Sequence, residues 1–245
     1  MIAFILGAII GSFLNVIIIR TPKNLSIVKP RSHCPKCQNI IPFYFNIPII
    51  SYLLLRGKCY FCKTDISAQY CIVELLSAII FMTTYSNLPI KEASLLSLVF
   101  SILTIIAFID LKYFLIPTYL IILLYISLIP RMIFSNYTIT ALFSGGLGVG
   151  LYLILCSTII IIKKKTLSVI GLGDILLTFF VGAWFGIING LYCLFIASIV
   201  GVLFILIKKE SQEKKIPFGL CISISFLFIS ILEIYECNLL DYFNF

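Results

Sequence analysis

Six residues carry most of the chemistry this chain can offer: the aspartates Asp110 and Asp174, and the cysteines Cys34, Cys37, Cys59 and Cys62. Each aspartate stands in or beside a long apolar run. An ionised carboxylate is costly at membrane depth, so such an acid marks a functional site whose partner has to be found. Here each acid is the other's candidate partner. Two carboxyls at one depth can share a proton, one then acting as base and the other as acid on a single water. The competing reading is a pair of helix-end aspartates facing water. Asp174 closes Gly171-Leu172-Gly173-Asp174, where glycines let the backbone approach a substrate closely. The cysteines form two knuckles, Cys34-Pro35-Lys36-Cys37 and Cys59-Tyr60-Phe61-Cys62, separated by 21 residues. Four thiolates in that spacing suit tetrahedral structural zinc, which can tie together a segment too small for a large core. A pair of disulfides is the alternative, disfavoured in a reducing cytoplasm. Four cysteines complete a site, so His33, the only histidine, is read as a bystander. Cys71, Cys156, Cys193, Cys221 and Cys237 lie in or near apolar runs and read as small hydrophobes.

The elements that must position these residues are membrane helices. Of the 245 residues 61% are hydrophobic and 11% charged, which excludes an ordinary soluble fold. Eight apolar runs stand out: Ile2 to Ile19, Tyr70 to Tyr85, Ala93 to Ile109, Phe114 to Ile129, Thr138 to Ile162, Asp174 to Ile188, Leu191 to Ile207 and Pro217 to Tyr235. Spanning segments must pair their backbone groups internally, so each is predicted helical. The fold class expected is an all-α polytopic membrane protein of about eight transmembrane helices with a small zinc-binding loop module. Residues 1–19 form the first membrane helix, 20–69 the cytoplasmic module and 70–245 the membrane core. Sixteen of the 18 basic residues fall in alternate connections, with Lys91 and Arg131 on the other side. Basic loops stay in the cytoplasm, so the N-terminus is predicted outside, the cysteine loop and both aspartates inside, and the tail with Glu233, Glu236 and Asp241 outside. The net charge of +8 follows from this bias and is no sign of nucleic acid. No charged stretch precedes Ile2 to Ile19, and no small-residue cleavage site follows it, so it reads as a retained helix.

Two further places invite a role. Ile216-Pro217-Phe218-Gly219 reads as a proline-marked start to the last helix at the cytoplasmic face. With Gly171 and Gly173 it offers backbone groups to a substrate peptide drawn out of helical form; simple helix-end punctuation is the other reading. Glu74 lies near the inner end of the second run. It is a candidate for binding a small cofactor or substrate amine, or for pairing structurally with Arg31 or Arg56.

The ordered motifs resemble the bacterial type IV prepilin leader peptidases. Gly11-Ser12-Phe13-Leu14-Asn15-Val16 with Arg20-Thr21-Pro22 looks like that family's first-helix signature. Arg31-Ser32-His33-Cys34-Pro35-Lys36-Cys37, Asn46-Ile47-Pro48, Ser51-Tyr52, Arg56-Gly57-Lys58-Cys59, Ile66-Ser67 and Val73-Glu74-Leu75-Leu76 follow in the family's order, and the two aspartate motifs and Ile216 to Gly219 complete it. The resemblance implies a GxGD aspartic endopeptidase of the bacterial inner membrane, related in catalytic plan to presenilin and signal peptide peptidase. Such an enzyme removes the basic leader of prepilins and pseudopilins after a glycine at the cytoplasmic face. Many members then methylate the new N-terminus with S-adenosylmethionine. Carried over by motif, Asp110 and Asp174 are the catalytic pair, the four knuckle cysteines hold zinc, and Glu74 is the candidate for the methyl donor. Three positions depart from the family pattern: Leu176 where many members have lysine, Leu220 where proline is usual, and Thr118 where an acid or amide is common. The reading from another class is a non-enzymatic carrier or assembly scaffold with a zinc-clasped docking loop. Carriers often carry inverted repeats, and none stands out in this sequence.

Overall fold

The computed structural model describes residues 1–29, 31–135, 138–164, 171–207 and 216–243, with side chains described except at 135, 156–164 and 236–243. Lys165, Lys208, Lys209, Lys214 and Lys215 lie outside the described residues, as do the side chains of Lys163, Lys164, Cys156, Glu236, Cys237 and Asp241. The helices are α1 (Ile2–Arg20), α2 (Ile50–Leu54), α3 (Gln69–Asn87), α4 (Ile90–Tyr113), α5 (Thr118–Ser135), α6 (Ile139–Lys164), α7 (Leu172–Ile207) and α8 (Phe218–Phe243). Among the described residues α1, α3, α4, α7 and α8 are long and apolar enough to cross a membrane, and α5 and α6 add shorter apolar stretches. The all-helical, multi-pass architecture expected from the sequence is therefore the one found. Pro89, Pro117 and Pro217 each stand immediately before a helix, where the missing N–H costs nothing because the first-turn amides have no intrahelical partner.

The chain divides into two compact units, Met1–Ile105 and Ile106–Phe245, with the border inside α4. In the first, α1 packs on α3 through glycines. A Cβ on Gly11 would come 2.8 Å from Glu74 Cα, and one on Gly7 2.8 Å from Ala78 Cα. Lipid tails are as apolar as these side chains, so such close backbone approach and interhelical hydrogen bonds hold membrane helices together. The buried Asn15 amide donates to the Tyr70 carbonyl at 3.0 Å. Farther along, the hydroxyls of Thr84 and Ser97 meet at 2.8 Å between α3 and α4. The loop between α1 and α3 has no strand among its described residues, only the single bridges His33 to Ile40 and Lys58 to Asp65. Each bridge closes one cysteine knuckle, and the tilted Phe45 and Tyr60 rings, 4.4 Å apart, make an aromatic contact on the loop's largely exposed surface.

In the second unit α7 is interrupted at Gly186, whose φ of 80° and ψ of −177° are open in practice to glycine alone. Thirty-six residues of unbroken helix would measure about 54 Å, well beyond the roughly 30 Å of hydrocarbon to be crossed. A Cβ on Gly190 would lie only 3.2 Å from Gly182 Cα. Eight residues along a straight helix separate Cα atoms by about 12 Å, so the two halves of α7 fold back on each other as a hairpin. The sixth and seventh apolar runs of the sequence are these two halves. Gly145 of α6 backs directly onto the Gly182 backbone, and Trp184, Phe180 and Phe226 form the buried aromatic centre between α7 and α8.

Candidate active site

Asp110 lies in the last turn of α4, which runs to Tyr113, one turn beyond the stop expected at the aspartate. It is 5% exposed. Its carboxyl lies at the N-terminal end of α8, where the Leu220 N–H donates to Asp110 Oδ2 at 3.1 Å and the Gly219 amide adds a second donor. First-turn amides of α8 thus find their acceptor on another helix rather than in solvent. Pro217 and Gly219 are buried and Phe218 half-buried. The backbone groups that the sequence offered to a substrate are in part already engaged with Asp110.

Asp174 is the third residue of α7 and half-buried. Its Oδ2 accepts the Gly171 N–H at 3.2 Å, closing the exposed glycine turn over the helix start. The Thr178 hydroxyl donates to the Asp174 carbonyl at 2.8 Å, and Tyr125 from α5 donates to the Leu176 carbonyl at 2.9 Å, so the first two turns of α7 are pinned. Leu176, where a lysine is common in the resembling family, contributes its backbone to that tie.

One residue links the two aspartate motifs, and reading the sequence did not single it out. Ile116 stands in the extended segment between α4 and α5, held extended by the following Pro117. A Cβ on Gly173 would lie 2.9 Å from Ile116 Cβ, and a Cβ on Gly219 would lie 2.9 Å from Ile116 Cδ1 and 3.0 Å from Asp110 Oδ2. Gly173 and Gly219 are therefore side-chain-free because Ile116 occupies the room between them. Asp174 is close enough for its charge to act on Asp110, and both act on the Cys221 thiol. The structure brings Asp110, Asp174, Gly171, Gly173 and Gly219 to one place. The only trace of Ile116 in the sequence is that it precedes a proline.

The cysteines also come together. The Sγ atoms of Cys34, Cys37, Cys59 and Cys62 all lie within 4.8 Å of one another, with Cys34 and Cys62 3.7 Å apart. Zinc bound at about 2.3 Å from each sulfur would space them about 3.8 Å apart, so the set fits a tetrahedral metal. The two knuckles are built alike. Cys34 N–H donates to Asn39 O and Cys59 N–H to Thr64 O, and the residue after each second cysteine, Gln38 or Lys63, takes a left-handed turn. The Thr64 hydroxyl, 3.1 Å from Cys62 Sγ, and its backbone amide pull that thiol down to about 6. The Asn39 amide pulls Cys37 down, but burial and the three other sulfurs outweigh it and push the thiol up to about 11. Four thiolates in this space repel one another, which a divalent cation would reverse. His33 instead sets its Nδ1 against the Arg31 carbonyl at 2.9 Å.

Glu74, in the first unit, is 7% exposed. Among the described residues its partners are the Ile49 N–H, 2.7 Å from Oε2, and the Ser12 hydroxyl; neither Arg31 nor Arg56 is one of them. Ile49 has a φ of 63°, unusual for a β-branched residue, and the turn is closed by Ile50 N–H to Pro48 O at 2.6 Å. Nearby on the same α1–α3 seam, Asn15 Oδ1 and Gln69 Nε2 are buried without a partner.

Comparison with known proteins covers nearly the whole chain. Residues 5–88 match the model of the bacterial peptidase A24 N-terminal domain and residues 97–206 that of the type IV leader peptidase family. The chain is 34% identical to the prepilin leader peptidase/N-methyltransferase of Vibrio cholerae, over 92% of its own length and 93% of that protein's. It is 33% identical to the type 4 prepilin-like proteins leader peptide-processing enzyme of Escherichia coli, over 89% of its own length and 88% of that protein's. A shorter stretch, 46% of this chain and 34% of the other, is 43% identical to the prepilin leader peptidase/N-methyltransferase of Myxococcus xanthus. No solved structure matches.

Proposed function

The chain belongs to the type IV leader peptidase family, and from that premise we propose that it removes the basic leader of prepilins and pseudopilins at the cytoplasmic face of the inner membrane, cutting after a glycine. Asp110 and Asp174 are the catalytic pair. The observation that carries this reading is their common surrounding: each carboxyl has Oδ2 held by a backbone N–H, and Ile116 lies between Gly219, which adjoins the Asp110 carboxyl, and Gly173, which precedes Asp174. A water held between the two carboxyls is the nucleophile. The ionised member takes a proton from that water as its oxygen attacks the scissile carbonyl carbon, while the protonated member gives its proton to the departing amide nitrogen. A rigid pair of helix ends supplies the positioning, with Pro217, Phe218 and Gly219 on one side of the substrate and Gly171 and Gly173 on the other.

The same protein then methylates the new N-terminus, as the names of its relatives suggest. When bound, S-adenosylmethionine supplies the methyl group. Glu74, with the unpartnered Asn15 oxygen and Gln69 nitrogen on the same seam, offers acceptors and a donor that fit the polar end of an amino acid. The four cysteines hold zinc, which closes the loop and leaves no open position for chemistry.

Purified protein in detergent micelles, incubated with a prepilin and methyl donor and read by mass, tests the reading. Asp110→Asn and Asp174→Asn should each lower cleavage by about 10³-fold or more. Both variants should still methylate pilin that has already been cut. Cleavage retained by either variant overturns the assignment.

A further inference from the structure

Ile116 lies against Gly173 on one side and Gly219 on the other, so it meets both halves of the proposed site. The segment carrying it is short and constrained at both ends. Phe114 takes a φ of 51°, with its N–H bound to the Asp110 carbonyl at 2.9 Å, and Pro117 is buried at the mouth of α5. Ile116 itself is half-buried, so one flank packs on the glycines while another stays open. Its Cβ presses on Gly173, next to Asp174 in sequence, and its Cδ1 presses on Gly219, whose missing Cβ would also crowd Asp110 Oδ2. Ile116 and the Asp110 carboxyl therefore border the same small volume, and neither glycine can yield more space than it already has.

Ile116 Cδ1 and Asp110 Oδ2 lie 2.9 and 3.0 Å from one point, the place of a Gly219 Cβ, so a peptide bond at the Asp110 carboxyl comes close to this isoleucine. We propose that Ile116 is the specificity-determining residue of the site, its branched side chain filling the room that a Cβ on the acyl-side substrate residue would need, so that only glycine is accepted there. The inference rests on the peptidase reading given above. A backbone carbonyl flanked by glycine can settle between the two acids; one flanked by a side chain is held off by the wall. Distances set by helices leave little slack, because α4, α7 and α8 each fix one neighbour of Ile116 from a helix end.

Two prepilins differing only in glycine or alanine before the cleavage site, offered to wild-type protein and to Ile116→Ala and Ile116→Val, decide the matter by the ratio of kcat/KM for the two substrates. Wild type should cut the glycine substrate and disfavour alanine by about 10²-fold or more. A pocket enlarged by one methyl changes discrimination by about 10-fold or more, so Ile116→Val should shrink the ratio by that amount and Ile116→Ala by more. The gain should appear as faster cutting of the alanine substrate. If Ile116→Ala is inactive on both, Ile116→Val decides by the same ratio. Ratios equal to wild type in the active variants, or a ratio that narrows only through loss of glycine cleavage, overturn the proposal while leaving the peptidase reading intact. Wild type that cuts neither substrate overturns both.

Discussion

Glu74 shows how one side chain can serve a fold and a reaction from the same place. Its carboxylate accepts the Ile49 amide at 2.7 Å and so holds a turn that an isoleucine would otherwise leave. A hydrogen bond to a charged group contributes about 1.5–3 kcal/mol, comparable to the roughly 1–3 kcal/mol that such a backbone conformation costs. Glu74→Ala should release that turn and speed hydrogen exchange at Ile49 and Ile50. Glu74→Gln retains an acceptor oxygen and should protect both amides nearly as wild type does, while its methylation falls if the charge meets the donor. Equal protection in Glu74→Ala would remove the clamp. At this scale the sequence shows residues whose type announces chemistry: two acids in apolar runs and four cysteines in paired knuckles. It hides residues whose role depends on who their neighbours are. Ile116 is one among many isoleucines until two distant glycines close on it, and the Leu220 amide becomes a partner of Asp110 only when the start of α8 packs against the last turn of α4.

Helices are legible for a simple reason: every spanning backbone must satisfy itself, so apolar length alone marks them, and prolines mark three of their starts. The turn inside α7 is harder to read. The sequence divides the two runs between Ile188 and Leu191, where Asn189 interrupts the apolar pattern. The structure turns at Gly186 and keeps Asn189 helical, because its amide donates to Glu233 on α8 at 3.1 Å and so needs no water. Gly186→Ala places a Cβ in a conformation that L-residues avoid, at about 1–3 kcal/mol. We expect it to lower the melting temperature in micelles by several degrees and to reduce cleavage. Gly182 and Gly190, where the halves touch, should be less tolerant of valine than Gly186 is of alanine, since there the added atoms meet backbone or a packed Val149 side chain. A Gly186→Ala protein as stable as wild type would show that the hairpin has another origin.

Across the whole molecule the membrane helices and the cysteine loop depend on different forces. Membrane helices are held by close packing, whereas the loop of the first unit has a few ring contacts worth about 0.5–1.5 kcal/mol each. Structural zinc contributes on the order of 10–16 kcal/mol in small peptides, far more than those rings can replace. One zinc per chain is expected by elemental analysis. Its removal by chelator, or Cys34→Ser with Cys62→Ser, should open residues 31–66 to protease while the helices of the second unit stay protected. Protease resistance unchanged after complete metal loss would mean that the loop folds without it.

The backbone of Gly186 also decides an arithmetic of sides. By turning there, the polypeptide brings the second half of α7 back along the first, so Gly201 meets Ile216 and Cys221 at the start of α8, and α8 sets out beside Gly173. Were those residues a single traverse, the parity of crossings would flip, and Gly219 would begin its helix a full bilayer away from the acid it now touches.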